Sequence, residues 1–181
     1  MTPRLAPLLA ALLLAAPALA EPPALAGRWV SAAPEAMGPI QGTRDFAFEA
    51  DRWSVTFTAF ADPEAAQALF RLDVGGRFVL GGPSAAVDGA FEAIFPADRR
   101  RITALSEAGV QMFAAQGCAL QVGVALDLTS QGCGFVPSLM AAMGEYDLVA
   151  MRDGRLFLGD RAADLSKARP TALTPFPLVP G

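Results

Sequence analysis

Polar and apolar side chains alternate along most of this chain, and a period of two is the mark of half-buried β-strands. Phe46 and Phe48 fall in one phase, Asp45 and Glu49 in the other. After a tight Ala50-Asp51 turn, Trp53, Val55 and Phe57 share one face, and Ser54, Thr56 and Thr58 share the opposite one. The pattern predicts strands at Gly27–Ser31, Arg44–Ala50, Arg52–Phe60, Phe70–Val74 and Arg77–Leu80. Gly75-Gly76 reads as a two-residue hairpin turn, because glycine supplies the positive φ such a turn needs. Ala32–Thr43, which holds Pro34, Gly38, Pro39 and Gly42, reads as a loop. Alternation returns at Gly89–Pro96, in a short strand at Arg101–Ala104, and at Leu120–Leu128. It ends in a hairpin, Tyr146–Met151 and Arg155–Gly159, about an Asp153-Gly154 turn.

The period changes over Leu105–Gln116. Ala108, Met112 and Phe113 recur there at helical spacing, with Ser106 placed to cap the start and Gly117 to stop the end. Pro137–Met143 predicts a second short helix, and Glu64–Ala68 has the length of a single helical turn. The tail, Arg169–Gly181, carries Pro170, Pro175, Pro177 and Pro180 and reads as extended and poorly packed by itself. Together these elements predict a mainly β, antiparallel meander of about eight or nine strands, able to close into a barrel, with one or two short helices.

A barrel of about eight strands encloses enough interior for side chains or for one small ligand. The chain has 12 Phe residues, spread over almost every strand. Phe46, Phe48, Trp53, Val55, Phe57, Phe70, Leu72 and Phe78 lie on one face of successive strands and are the candidates to line an apolar pocket. The same rings packed on one another would fill the interior, and composition leaves both outcomes open. A register slip of one residue would invert every one of these assignments.

Met1–Ala20 reads as a secretory signal: Arg4 at the start, an apolar core at Leu8–Leu14, and the small-residue site Ala18-Leu19-Ala20 before Glu21. The apolar core falls far short of the about 20 residues that a transmembrane helix needs. No Cys stands at the cut to carry a lipid anchor. Arg far outnumbers Lys, Lys167 being the only lysine, and Ala is abundant, as in a GC-rich bacterial genome. The expected compartment is periplasmic or secreted. The expected organisation is a signal peptide over 1–20, one domain over 21–166 and a Pro-rich tail over 167–181.

The formal net charge is −4. A nucleic-acid partner needs a basic face and is disfavoured, as is an anionic membrane surface. Arg99-Arg100-Arg101 breaks the trend and reads as a solvated turn or as a patch for an acidic protein partner. The two cysteines, Cys118 and Cys133, form an even count in an exported chain, which favours a disulfide. It would close a loop of roughly 15 residues, worth about 3 kcal/mol in the chain-entropy view. Two buried thiols or an intermolecular bond are the alternatives.

The chain contains no His, so the usual base near neutral pH is missing. It shows no metal-ligand spacing, phosphate loop or nucleophile elbow, and it implies no catalytic residue and no metal or organic cofactor. Asp62, Glu92, Asp127, Glu145 and Asp147 are the carboxylates from which a pair could come, and no spacing recommends any two of them.

Several fragments, in order, resemble the APCDD domain, the family of the adenomatosis polyposis coli down-regulated protein, which has bacterial members. They are Leu25–Ser31, Arg44-x-Phe46-x-Phe48, Phe60–Pro63, Gly76–Ser84, Val87–Ala90, Gly117-Cys118, Gly132-Cys133, Glu145–Leu148, Leu156–Arg161 and Arg169–Leu173. The resemblance implies a lipocalin-like β-barrel with a lipid-holding groove. Animal members bind Wnt signalling proteins, a property that does not transfer to a bacterium. Family domains hold further cysteines where this chain has Ala33-Pro34-Glu35 and Glu64–Gln67. The start Gly27-Arg28-Trp29 is also similar to the Gly-x-Trp of lipocalins proper. That likeness gives Trp29 the role of plugging the closed end and Arg161 that of stacking on it.

The sequence thus leads to an exported, non-catalytic domain that binds a small hydrophobic ligand, a fatty acyl chain or lipid. The alternative is an envelope protein-interaction module with a filled core. Its contact elements would be Arg99–Arg101, the Ala32–Thr43 loop and the tail. Ligand identity and oligomeric state are not written in the sequence.

Overall fold

In the computed structural model, which describes residues 21–162 and 164–181, the alternating segments form one antiparallel sheet of eleven strands with a single helix. The expected leader lies outside the described residues. The first strands are β1 (Gly27–Ser31), β2 (Glu35–Met37), β3 (Ile40–Glu49) and β4 (Arg52–Phe60). Next come β5 (Ala68–Arg77), β6 (Val79–Pro83) and β7 (Phe91–Ala104), then helix α1 (Glu107–Ala114). The chain ends with β8 (Ala125–Asp127), β9 (Gly144–Arg152), β10 (Arg155–Leu158) and β11 (Leu178–Pro180).

Eight of these strands close a barrel-like ring in the order β1-β11-β10-β9-β7-β5-β4-β3, with β3 pairing back onto β1. Apart from β1, the ring runs in chain order, so it is an up-and-down meander. β2 extends from β3, and β6 and β8 both attach to β7. The turns follow their sequence signals. Ala50 sits at φ 49°, and Asp153 and Gly154 at 51° and 71°, the left-handed pair that a two-residue hairpin requires. Ser106 caps α1 by accepting from Gly109 N at 3.3 Å. Gly109 presses on β5 so closely that a Cβ there would collide with the Leu69 carbonyl oxygen.

Two apolar clusters occupy the interior. One gathers Trp29, Phe46, Phe48, Trp53, Phe95, Leu156 and Leu178. The other packs Phe113 of α1 edge-on against Phe70, at 5.0 Å and 89°, with Ile102, Leu120, Leu128 and Val136 around them. Cys118 and Cys133 form the expected disulfide, with Cα atoms 5.2 Å apart, and pin this second cluster to the helix.

Several segments depart from the sequence reading. The Gly75-Gly76 pair is not a turn, for β5 runs straight through it. Its glycines are required by close approach instead: a Cβ on Gly76 would strike the Pro96 carbonyl oxygen of β7. Arg99-Arg100-Arg101 is likewise not a turn but the middle of the 14-residue β7. Of Leu120–Leu128 only Ala125–Asp127 joins the sheet, and Val122, Val124 and Leu126 are exposed. Pro137–Met143 makes turns rather than a helix, with Ala141 N and Ala142 N both donating to the Ser138 carbonyl at 3.2 Å. Within the expected Ala32–Thr43 loop, β2 and the start of β3 form a hairpin around Gly38, at φ 63°.

The tail supplies β11, which is needed to close the ring, and its Leu178 is fully buried. Hydrogen bonds between tail and ring hold it. Arg169 donates to the carbonyls of Ala93 and Asp147 at 2.7 and 2.6 Å and stacks on Tyr146. Arg44 donates to the Phe176 carbonyl at 2.9 Å. A three-residue strand is too short to show a period, which is why the tail reads as loose.

Leu178→Ala should therefore destabilise the fold by about 2–5 kcal/mol. The outward-facing Val179→Ala should cost less than about 1 kcal/mol. Urea unfolding followed by fluorescence of the buried Trp29 and Trp53 reads both values, and equal losses would contradict closure by β11.

Candidate functional site

Cross-strand partners share a face, so the register fixes what points inward. Phe46 pairs with Val55, Phe48 with Trp53, and Arg44 with Phe57. Phe57 in turn pairs with Leu72, and Val55 with Val74. Leu72 and Val74 then face Ile102 and Arg100 of β7. The inner face of four neighbouring strands is thus aromatic and aliphatic, with two arginines set in it.

These residues enclose a cavity of about 410 Å³. Phe46, Trp53, Val55, Phe57 and Leu72 line it as expected, joined by Val74 and Phe95. Phe48, Phe70 and Phe78 do not line it. Phe48 and Phe78 pack on each other at 5.3 Å, and Phe70 lies under Phe113 and Phe135 in the second cluster. All three share the inward phase or its neighbourhood, but they sit at the filled ends of the ring rather than at its middle.

Charged side chains border the same cavity: Arg44 and Arg100 on that inner face, with Glu145, Asp147 and Arg161. Arg44 is in phase with Phe46 and Phe48, so alternation alone carries it inside. It donates from Nε to Glu35 Oε1 at 2.9 Å, and Ser31 Oγ donates to the same oxygen at 2.6 Å. Burial pulls the Arg44 guanidinium below its ordinary pKa, and Glu35 opposes that pull.

Glu145 and Asp147 alternate inward on β9, opposite Phe95 and Ala93. Arg161 bonds to both: through Nη1 to Glu145 Oε2, and through Nη2 to Asp147 Oδ2 at 3.4 Å. Arg161 therefore belongs to the cavity wall. Among the described residues the cation–π contact is Arg169 on Tyr146, and none joins Arg161 to Trp29, which corrects the expected stack. Trp29 is buried in the first cluster and donates from Nε1 to the Leu25 carbonyl at 2.8 Å. Asp147 is only 1% exposed and accepts from Leu148 N and Gly159 N, each at 2.7 Å. Burial pushes its carboxyl pKa up, and Arg161 and the two N–H donors offset that push only in part.

Arg100 reaches the interior through a change of phase. Phe91, Ala93 and Phe95 face inward, and so do Arg100, Ile102 and Ala104. The spacing from Phe95 to Arg100 is odd, so one residue must be looped out. The ladder between β5 and β7 is irregular there, pairing Gly75 with Arg99 but Gly76 with Ala97. Asp98 is the extra residue, and a bulge of this kind re-aims every side chain beyond it. Arg100 is 6% exposed, and its Nη1 and Nη2 donate to the carbonyls of Pro137, Ser138 and Ala142 at 3.0, 3.2 and 3.0 Å. Burial also lowers its pKa.

No protein-family model matches this chain, and no curated protein matches it.

The raised carboxyl of Asp147 fixes a sign for stability against pH. The folded state holds this proton more tightly than the unfolded chain does. Stability present at low pH is therefore lost as pH rises from the ordinary aspartate value of 3.8 through the raised one. Asp147→Asn removes the titration. Its stability minus that of the wild type should grow with pH over this window and then level off. No His titrates in the same range. Urea unfolding of both proteins between about pH 4 and about pH 8 checks this, and parallel curves would contradict it.

Proposed function

We propose that the chain is a non-catalytic binding protein that holds a small hydrophobic ligand, a fatty acyl chain or lipid, in its cavity. The carrying observation is the volume of about 410 Å³ walled by Phe46, Trp53, Val55, Phe57 and Leu72. Ligand pockets have this size and this mixture of apolar walls with a few convergent polar groups. A filled core would have left no such space. The contact elements of the alternative reading are in part built into the sheet: part of the Ala32–Thr43 loop as β2 and β3, the arginine run within β7, and Leu178–Pro180 of the tail as β11. This supports the interior, rather than those segments, as the working surface.

We read the chain, further, as a bacterial relative of the APCDD domain family. The support is the set of ordered fragments given above, together with a barrel-like antiparallel ring of the kind such kinship implies. Export to the periplasm or the medium belongs to the same proposal. It is supported by the Met1–Ala20 pattern and by the disulfide between Cys118 and Cys133, a bond that persists in oxidising compartments. Among the described residues no helix is long and apolar enough to cross a membrane.

Native mass spectrometry of the mature protein, purified without detergent and then offered saturated fatty acids and phospholipids, tests the binding. A stoichiometric adduct is expected. Val55→Trp places an indole in the cavity and should weaken uptake about tenfold or more while leaving the unfolding midpoint near that of the wild type. A wild type that takes up none of these compounds would overturn the reading.

A further inference from the structure

Three arginines border the cavity, and they are not equivalent. Arg44 carries Glu35 as its counterion, and Arg161 carries Glu145 and Asp147. Asp164, which also borders the cavity, is held by Lys167 at 2.7 Å. Among the described residues no carboxylate forms an ion pair with Arg100. Its direct partners are three main-chain carbonyls, which orient the guanidinium but do not neutralise it, and Glu145 acts on its charge only through space. A buried charge without a contacting counterion is costly.

The donor count is as telling as the charge. A guanidinium carries five N–H donors. Arg100 uses three, through Nη1 twice and Nη2 once. The Nε–H and one Nη2 hydrogen make no bond to the described residues. Arg100 itself borders the cavity. Arg28 shows what these two nitrogens do elsewhere in the protein. Its Nε and Nη2 hold the two oxygens of Asp45 at 2.8 and 2.7 Å, a two-point grip on a carboxylate.

Resting on the binding reading above, we propose that the ligand is a single-chain amphiphile with a carboxylate head. Arg100 holds the head through Nε and Nη2, and the chain lies against Phe46, Val55, Phe57 and Leu72. The ligand supplies the contacting counterion that the described residues do not. A resident acid at that place would compete with it, as Glu35 and the Glu145–Asp147 pair would at the other two arginines. The bulge at Asp98 thereby acquires a role: it turns Arg100, rather than Arg99 or Arg101, toward the acyl site.

Titration of the mature wild type with dodecanoate, dodecan-1-ol and dodecyl phosphate near neutral pH separates the outcomes. Dodecanoate should bind about tenfold or more tightly than the alcohol. Arg100→Gln should abolish that preference and retain the alcohol affinity. Where Arg100→Gln does not fold, Arg100→Lys, which keeps the charge and loses the two-point grip, should reduce the preference. An unchanged preference in a folded variant overturns the assignment of Arg100. Equal binding of acid and alcohol by the wild type overturns the head-group inference and leaves the acyl site standing. Binding of none of the three overturns both. Tighter binding of dodecyl phosphate than of dodecanoate overturns the choice of carboxylate.

Discussion

Closure of the sheet through β1 is the constraint on which the rest of this structure depends. β1 bonds to β3 on one side and to β11 on the other, so the first and last strands of the sheet complete each other. A closed ring removes the long exposed edges that an open meander of this size would present. It also commits every inward position to a shared interior. The ends of that interior are filled, by Phe48 and Phe78 in one cluster and by Phe70 and Phe113 in the other. Smaller residues, Val55, Leu72, Val74 and Ala97, stand along the cavity wall. The cavity is the space those side chains do not reach.

Closure also explains why buried charge is tolerated. Replacing a buried ion pair by apolar residues is often neutral or stabilising, so Arg44–Glu35 is weak evidence for stability. Its geometry points to registration instead. Arg44 sits on β3, Glu35 on β2, Ser31 on β1, and the Phe176 carbonyl just before β11. One guanidinium therefore ties together the four segments that meet at the seam of the ring. A slip of any one would strand a charge in the interior, a large penalty against misregistered closure. Arg169 plays a similar part on the other flank, through the carbonyls of Ala93 and Asp147 and an ion pair with Glu92 at 3.4 Å.

Much of this was legible in the sequence, for identifiable reasons. Long half-buried strands keep their phase, so Phe46, Trp53, Val55, Phe57 and Leu72 were assigned to the right face and line the cavity. Turns with one chemistry, such as Asp153-Gly154 and Ser106 before α1, were also plain. Gly75-Gly76 was misread because glycine answers two different needs, positive φ and close approach, and the local sequence does not say which. β2, β8 and β11 have three residues each, too few to establish a period. Phe48, Phe70 and Phe78 show a further limit. Alternation reports the face of a strand and not the height along the ring, and height decides whether a ring fills an end or borders the middle.

Arg100 was hidden by a different mechanism. In an unbroken alternation from Phe95, the inward positions would be Ala97, Arg99 and Arg101. The bulge leaves Ala97 inward and turns Arg100, Ile102 and Ala104 inward in place of Arg99 and Arg101; it lies opposite Gly75 and Gly76, which let β7 approach closely. The three consecutive arginines look alike in sequence because a single irregular pairing differentiates them. Two remain outside in solvent, and one enters the interior with no ion pair to any described carboxylate. The arginine proposed to hold a ligand is therefore set by a backbone irregularity between distant segments, not by any motif around it. The apolar lining of the cavity is fixed by strand phase, and the place of Arg100 in it by one looped-out residue. Under the proposal, head-group preference can change at that residue without disturbing the ring that supports it.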